Sequence, residues 1–157
     1  MSRGQYPSTR MRRNRMTAFS RRLVAETRLD TADLIWPLFV VEGNNITQPV
    51  DAMPGVSRYS IDRLLDQAAM AVKLTIPAIA VFPSIDTALK DDRGSIACDG
   101  DNLVCRAVRA VKAAHPDLGI VCDVALDPFT THGHDGLLDG DKILNDETIS
   151  VLCQQAV

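Results

Sequence analysis

The 157-residue sequence has few aromatic residues and no long apolar segment. Phe, Trp and Tyr make up 4% of the chain, which argues against a surface that stacks on single-stranded nucleic acid. No stretch approaches about 18 uninterrupted apolar residues, so the sequence predicts no membrane-spanning helix. The hydrophobic (46%) and charged (24%) contents are ordinary, which excludes a disordered tail and a collagen-like or coiled-coil rod. A soluble domain with a real core is the class that fits these values.

The four cysteines form no recognisable metal or redox motif. No pair has a Cys-x-x-Cys spacing, and no His lies at a zinc-finger distance from them. Because the N-terminus also lacks the apolar segment of an export signal, we expect reduced thiols and a cytoplasmic protein. We expect Cys105, Cys122 and Cys153 to be small buried hydrophobes, and Cys98, which follows a loop, to be exposed.

Charge is distributed unevenly along the chain. Residues 1–28 contain eight Arg and one acid, a net charge of +7, whereas residues 29–157 carry a net charge of −10. We therefore divide the chain into an N-terminal arm, residues 1–30, and a body, residues 31–157. The arm is compatible with a transit peptide, with nucleic-acid contact, or with packing on the acidic body of a neighbouring copy. Plain solvation of the arginines is a further alternative.

Three short apolar runs predict strands at Leu38–Val41, Ala78–Phe82 and Ile120–Leu126. Each run is nearly apolar on both faces, which is typical of strands buried on both sides of a parallel sheet. Pro37 is expected at the start of the first strand and Pro83 just beyond the second, because proline has no N–H for the ladder.

Helical periodicity follows each of these runs. Ser60 is a plausible N-cap for the first helix, Pro116 ends the second, and acidic residues open the third. The predicted apolar faces are Ile61, Leu64, Leu65, Ala68, Ala69 and Val72; Val104, Ala107, Val108 and Val111; and Ile149, Leu152, Cys153 and Ala156.

The alternation of strand and helix predicts an α/β fold with a parallel sheet. The strands begin about 40 residues apart, and eight such units would need about 320 residues, the size of a (β/α)8 barrel. The chain holds about three and a half units. It is therefore either a small open sheet or the first part of a barrel, and the helical pattern that runs to the last residue favours the barrel.

The segment that follows the third predicted strand carries most of the ionisable residues of interest. Eight acids and one Lys lie between Asp117 and Glu147, and this density calls for a divalent cation, a cationic substrate or a basic side chain from elsewhere. Asp127 precedes proline, so we expect it to be extended and to end the strand. His132, His134 and Asp135 form either a metal or substrate contact or a hydrogen-bonded loop.

Several strings in the sequence resemble those of the porphobilinogen synthase (5-aminolevulinate dehydratase) family, in order and with family spacing. They cover nearly the whole chain: Arg10-Met-Arg-Arg-Asn, Leu23-Val-Ala-Glu-Thr-Arg-Leu, Leu34-Ile-Trp-Pro-Leu-Phe-Val-Val-Glu-Gly, Met53-Pro-Gly-Val, Ile76-Pro-Ala-Ile-Ala-Val-Phe-Pro, Asp123-Val-Ala-Leu-Asp-Pro-Phe-Thr-Thr-His-Gly-His-Asp-Gly, and Ile143-Leu-Asn-Asp-Glu-Thr.

The resemblance implies the N-terminal part of a (β/α)8 TIM barrel, incomplete in this chain, with an arm that wraps a partner subunit. It implies a homo-octamer, which favours the packing interpretation of the arm. The implied reaction condenses two molecules of 5-aminolevulinate into porphobilinogen, the pyrrole precursor of heme and other tetrapyrroles. No nucleic-acid or membrane partner is implied.

The resemblance also implies the type of metal site. Zinc-dependent family members have three cysteines where this sequence has Ala125, Asp127 and Asp135, so the zinc triad is absent. We expect Asp127 and Asp135 to bind Mg²⁺ or a hydrated monovalent cation, or to hold the ammonium of the second substrate directly. Asp123 is either a third member of this substrate or metal site or a structural acid at the strand end.

The lysines that form Schiff bases in the family belong to later strands, and none of the chain's lysines matches them. We therefore assign no catalytic residue in this chain and expect it to be inactive alone. The alternatives are a truncated subunit that acts only in assembly and a generic Mg²⁺-dependent α/β enzyme, although no phosphate-binding loop motif is present. The lysines are Lys73 and Lys112 on expected helix surfaces, Lys90 in a loop and Lys142 in an acidic turn.

Overall fold

The computed structural model describes residues 4–9 and 12–157, which divide into two compact units. The first unit ends at Asp30, and its regular elements are a 3-10 turn at Arg13–Arg15 and helix α1, Ala18–Leu23. The second unit begins at Thr31 and contains the sheet. In the part of the chain that the structure describes, no helix is both long and apolar enough to cross a lipid bilayer.

The second unit alternates strands and helices along the chain. Its strands are β1 Ile35–Val41, β2 Thr47–Pro49, β3 Ser57–Tyr59, β4 Ala78–Ser84, β5 Gly119–Cys122, β6 Leu138–Asp139 and β7 Lys142–Ile143. Its α-helices are α2 Ile61–Lys73, α3 Leu103–Ala114 and α4 Asn145–Gln155, and 3-10 turns occur at Thr31–Asp33, Thr87–Leu89 and Ser95–Cys98.

Five strands form one sheet in the order β2-β3-β1-β4-β5. The pairs β3–β1, β1–β4 and β4–β5 are parallel, which confirms the predicted α/β class. The short β2 pairs with β3 in the antiparallel sense, and β6 and β7 form a separate hairpin. Among residues 31–157 the sheet is open and does not close into a barrel.

The core lies between the sheet and helices α2 and α3. Alternate residues of β1 and β4 face these helices, since their side chains project to opposite sides of the sheet in turn. Both helices turn their small and aliphatic residues toward the strands. The fully packed members are Leu38, Val40, Leu64, Ala68, Ala71, Ile79, Val81, Leu103, Ala107, Val111 and Leu118.

A smaller apolar cluster lies beneath the loops that follow β4 and β5. Ala97, Leu126, Phe129 and Leu137 are buried there, and half-buried residues of α4 pack against them. These loops are therefore anchored by packing and have a defined structure.

Pro37 and Pro83 lie inside strands β1 and β4 and not at the ends of these strands, contrary to the sequence prediction. Pro37 pairs with Ala80 of β4, at a position where β3 does not reach β1. Pro83 lies beyond the last paired residue of β5. Each proline has a strand partner on one side only, so its missing N–H leaves no ladder bond unmade.

Strand β5 is shorter than predicted, because it ends at Cys122 and not at Leu126. The Leu126 N–H donates to the Asp135 carboxylate, and its carbonyl accepts from Phe129 and Thr130. Both backbone groups are used in a turn and cannot extend the ladder. The prediction that Asp127 ends the strand is therefore wrong.

The predicted burial of β5 on both faces is also wrong. Among the described residues it pairs with β4 alone and forms the edge of the sheet, where Val121 is 46% exposed. Cys122 and Cys153 are exposed and Cys105 is half-buried, so the prediction that these three are buried is wrong for the first two. Cys98 is exposed, as predicted.

The helix faces are predicted in part. In α2, Leu64 and Ala68 are buried as expected, whereas Ala69 and Val72 face solvent. Ser60 occupies the N-cap position, but its hydroxyl donates to Asp62 instead of accepting a bond from the helix. In α3, the predicted members Ala107 and Val111 are buried.

The apolar face predicted for α4 is wrong except at Leu152, which is half-buried. Ile149 is 51% exposed, and Cys153 and Ala156 also face solvent. The buried position is Thr148, whose hydroxyl accepts the Leu137 N–H at 2.9 Å and donates to the Leu144 carbonyl at 2.6 Å. The hydrogen bond between Thr148 and Leu137 in the preceding loop therefore determines which face of α4 is packed against the rest of the unit.

Candidate active site

The three aspartates singled out from the sequence lie where strand β5 leaves the sheet. Asp123 follows the last residue of β5, Asp127 lies in the turn formed by residues 126–130, and Asp135 precedes β6. Carboxyl ends of parallel strands are the usual position of active sites in α/β folds. The structure therefore brings the predicted residues to the expected edge of the sheet.

Asp127 is the residue with the most perturbed electrostatic environment of the three. Loss of solvation raises the pKa of its carboxyl, and the like charge of Asp135 raises it further. Asp123 adds a weaker repulsion, while a backbone hydrogen bond and the Lys90 ammonium oppose the rise. The carboxylates of Asp135 and Asp123 are thus close enough to Asp127 to repel it, and a bound cation would relieve that repulsion.

Asp135 is held toward Asp127 by the backbone. One of its carboxylate oxygens accepts the Leu126 N–H at 2.6 Å, next to Asp127 in the chain. The loop between them turns back at Gly133, whose positive φ of 70° favours glycine. The Thr130 hydroxyl also donates to the His134 carbonyl at 3.0 Å, which closes the loop.

His132 is engaged in hydrogen bonds within the loop. Its Nε2 lies 3.1 Å from the Asp92 carbonyl oxygen, and its Nδ1 accepts the His134 N–H at 3.1 Å. Both ring nitrogens are thus engaged in hydrogen bonds, and neither is left for a metal ion. Of the two interpretations of this loop, the hydrogen-bonded one is supported for His132.

A second loop, between β4 and α3, is fastened to the loop that follows β5. The Asp91 carbonyl accepts the Thr131 N–H at 3.0 Å, and the Thr131 hydroxyl donates to the Asp92 carboxylate. We call residues 90–95 the strap. Gly94 allows the close approach, because it is buried with a φ of 61° and a Cβ there would lie 3.3 Å from Thr130.

The strap is organised by Asp91. Its Oδ1 accepts the N–H groups of Arg93 and Ser95 at 2.9 and 3.0 Å. These bonds, those to Ser95 above all, lower the pKa of Asp91. Sequence reasoning missed this element, although an Asp four residues before a Ser, with Gly between them, is a typical turn signal.

An open cleft of about 670 Å³ lies beside the aspartates. It is bounded by β1, β4, α3, the exit of β5 and the end of α4. Its charged residues are Lys90, Asp123, Asp127 and Arg109. The remaining lining residues are Phe39, Val81, Phe82, Pro83, Ala97, Asn102, Val104, Cys105, Val108, Cys122, Val124, Pro128, Phe129, Gln155, Ala156 and Val157.

The four lysines differ in position, and only Lys90 lines this cleft. Lys73 and Lys142 are exposed. Lys112 is also exposed, as predicted, but its ammonium donates to the carbonyls of Pro116 and Leu118 at 2.6 and 3.0 Å and stabilises the end of α3.

The acidic donor groups that line the cleft are the carboxylates of Asp123 and Asp127, and two thiols, Cys105 and Cys122, line it as well. Within the described ranges, no three His, Cys, Asp or Glu side chains are arranged to hold a metal ion. Loss of solvation, and then the nearby Cys105, raise the pKa of the Cys122 thiol, which disfavours the thiolate form in which a cysteine binds zinc. Mg²⁺, by contrast, is held by one or two carboxylates and keeps several water ligands.

Comparisons with known proteins identify the family. The profile of the delta-aminolevulinic acid dehydratase family matches residues 8–157. A curated relative of that name from Bradyrhizobium diazoefficiens is 55% identical over 148 residues, which are 94% of this chain and 42% of the relative. One from Chlamydia pneumoniae is 44% identical over 144 residues, which are 92% of this chain and 43% of the relative.

The fold agrees with a solved structure of the same family. The crystal structure of delta-aminolevulinic acid dehydratase (porphobilinogen synthase) from Toxoplasma gondii, in complex with the reaction product porphobilinogen, superimposes with a TM-score of 0.89 at 41% identity. The match covers 94% of this chain and 42% of that one. The chain thus spans about two fifths of the length of these relatives and corresponds to the N-terminal part of the family's barrel. It belongs to the delta-aminolevulinic acid dehydratase family.

Proposed function

We propose that the protein acts in porphobilinogen synthesis, in which two molecules of 5-aminolevulinate condense with loss of water. The observation that carries this proposal is the set of carboxylates, Asp123, Asp127 and Asp135, gathered at the exit of β5 beside a cleft, in a chain that belongs to this family. This chain supplies one wall of the substrate pocket. It supplies no lysine that matches the family's Schiff-base positions.

Asp127 and Asp135 orient the ammonium group of the second substrate, either directly or through a bound cation. A substrate ammonium placed between two carboxylates is favoured because it removes their mutual repulsion. The Leu126 N–H fixes the orientation of the Asp135 carboxylate, so the backbone determines where this carboxylate lies. Asp123 reinforces the negative potential from the end of β5.

Mg²⁺ is the cation that we assign to this site, with Asp127 and Asp135 as its protein ligands. When bound, it supplies positive charge that orients a substrate amine or its water ligands. A hydrated monovalent cation is the alternative, since a pair of carboxylates also suits it.

The N-terminal arm has features that suit contact with a partner subunit in a homo-octamer. Phe19 is 68% exposed and Leu23 is 79% exposed, and both lie among arginines of α1. Apolar side chains interspersed with Arg are typical of protein interfaces. The four cysteines form no disulfide, which suits a reducing compartment, and we place the protein in the cytoplasm.

The proposal is tested by comparing this chain with a chain extended to the full length of its relatives. We expect porphobilinogen formation by the extended protein and none by the 157-residue chain, because no lysine here takes the nucleophile's role. Porphobilinogen production by the 157 residues alone would contradict this assignment. An inactive extended protein that still assembles through its arm would favour the alternative, a subunit that acts only in assembly.

A further inference from the structure

Hydrogen bonds on both sides of Lys90 in the chain hold its backbone at the cleft. Its own N–H donates to the Thr87 carbonyl at 3.2 Å, which closes the 3-10 turn before it. The next two residues, Asp91 and Asp92, bond to Thr131 in the loop that follows β5. The backbone of Lys90 is therefore fixed relative to the loop that carries Asp127.

The side chain of Lys90 differs from the other cation of the cleft. Arg109 donates to the Gly100 carbonyl at 2.7 Å and forms an ion pair with Asp101 at 2.5 Å. Within residues 4–9 and 12–157, Lys90 takes part in no side-chain hydrogen bond or ion pair, although it is half-buried and shares the cleft with Asp123 and Asp127. Its side chain therefore lines the cleft, and no hydrogen bond or ion pair among the described residues holds its ammonium elsewhere.

We propose that Lys90 is a built-in countercharge that competes with bound cations for the carboxylates of Asp123 and Asp127. The inference rests on the proposed cation-binding role of Asp127. An ammonium group carries only donors, so Lys90 cannot ligate a metal ion and can act on one only by repulsion. A site with carboxylates alone would hold a divalent ion more tightly, whereas a nearby fixed ammonium keeps the ion or substrate amine exchangeable.

The position of Lys90 in the strap distinguishes its proposed role from a general effect of net charge. Lys142 also lies near acids, in the hairpin of β6 and β7, but it does not line the cleft. Removal of either lysine changes the net charge of the protein equally. Of the two, only removal of Lys90 changes a charge that lines the cleft.

The test measures Mn²⁺ binding by the electron paramagnetic resonance signal of the free ion, with the 157-residue chain at low ionic strength. Mn²⁺ serves as the probe because it favours the same oxygen ligands as Mg²⁺. We expect Lys90→Met to bind Mn²⁺ about three- to ten-fold more tightly than the wild type. Lys90→Arg should retain the wild-type affinity, Lys142→Met should change it less than about two-fold, and Asp127→Asn should weaken it.

The size of the effect must also depend on salt. The gain of Lys90→Met should shrink as ionic strength rises to about 0.5 M, a trend that a purely structural role of Lys90 would not produce. Circular dichroism verifies folding, and Lys90→Gln replaces the methionine variant if that variant does not fold.

The outcomes separate the two claims. Equal Mn²⁺ affinity of Lys90→Met and the wild type, or an equal gain in Lys142→Met, would overturn the role of Lys90 and leave the cation site standing. Binding that is unaffected by Asp127→Asn, or no binding by any variant, would overturn the proposed cation site and the inference with it.

Discussion

The helix-covered core and the loops at the exit of β5 are stabilised by different means. In the core, aliphatic side chains of β1, β4, α2 and α3 pack together, and no described polar side chain other than Ser60 and Asn102 is buried around them. At the exit of β5, the loops are held by hydrogen bonds that the Asp91 and Asp135 carboxylates accept from backbone N–H groups and by one that the Thr131 hydroxyl donates to a carboxylate. A loss of side-chain volume should destabilise the first region. The second region depends on a few polar atoms, which also determine the electrostatic potential there.

The largest effect on stability is expected from the core. Leu64 is fully buried between α2 and the sheet, so Leu64→Ala should lower the free energy of unfolding by about 3 kcal/mol. Denaturant unfolding of the chain measures this loss. Leu74→Ala, at a position that is 47% exposed, is the control and should change stability little. Equal losses in both variants would show that the core is less tightly packed than described.

The largest effect on function is expected from Asp127, in the full-length protein. Asp127→Ala should lower kcat/KM by about 100-fold, because in the proposed site the ammonium of the second substrate would lose its partner. Trapping of the first substrate with borohydride should be nearly unchanged. Asp141→Ala, an exposed acid of the hairpin turn, is the control. Unchanged kinetics in Asp127→Ala would return this residue to the role of a solvated loop acid.

A smaller effect is expected in the strap. Asp91→Ala removes the acceptor of two backbone N–H groups and should cost about 1 kcal/mol, the usual value of such a cap. Faster hydrogen exchange of the Thr131 amide should accompany the loss, since its acceptor is the Asp91 carbonyl. Asp86→Ala, which removes a similar bond to the Ala88 N–H outside the strap, should leave Thr131 unaffected.

The strap also predicts a pH dependence. The pKa of Asp91 is lowered in the folded protein, so its contribution is present above its unfolded pKa and is lost as pH falls through the folded value. The stability difference between wild type and Asp91→Asn should therefore be constant near pH 7 and vanish in strong acid. Denaturation at several pH values checks this, and a difference that grows in acid would contradict it.

The smallest expected effect is a gain in stability, whereas the changes above lower stability or activity. The pKa of Asp127 is raised in the folded protein, so its ionised form opposes folding and the penalty grows as pH rises above the unfolded value. Asp127→Asn should therefore be slightly more stable than the wild type at pH 7 and equal to it near pH 3. Reduced stability of the variant at pH 7 would show that Asp127 has a structural role.

Sequence patterns predicted the parts of the fold in which burial follows periodicity. The strands around Leu38 and Val81 and the buried positions Leu64 and Ala68 of α2 are predicted because apolar spacing reports which side of an element is covered. The same reasoning failed at Ile149, where a hydrogen bond of Thr148 determines the packed face of α4. It also overextended β5, since Asp135 captures the N–H that the strand would have used.

The sequence indicates which residues are candidates for the site but not which residues lie next to them. Asp123, Asp127 and Asp135 are candidates because the end of a strand and a resemblance to a family both indicate them. The position of Lys90 beside them depends on bonds between residues about 40 positions apart, such as that of Thr131 to Asp92. A single sequence carries no signal for such contacts.

The central claim is that carboxylates, and not thiolates, form the cation-binding wall of this pocket. It is tested most directly by removing metal ions from the full-length protein with a chelator and adding Mg²⁺ or Zn²⁺ back during an assay of porphobilinogen formation. The account predicts that Mg²⁺ stimulates the reaction and that a zinc-selective chelator does not inhibit it. Strong inhibition by that chelator, reversed by Zn²⁺ alone, would contradict the account.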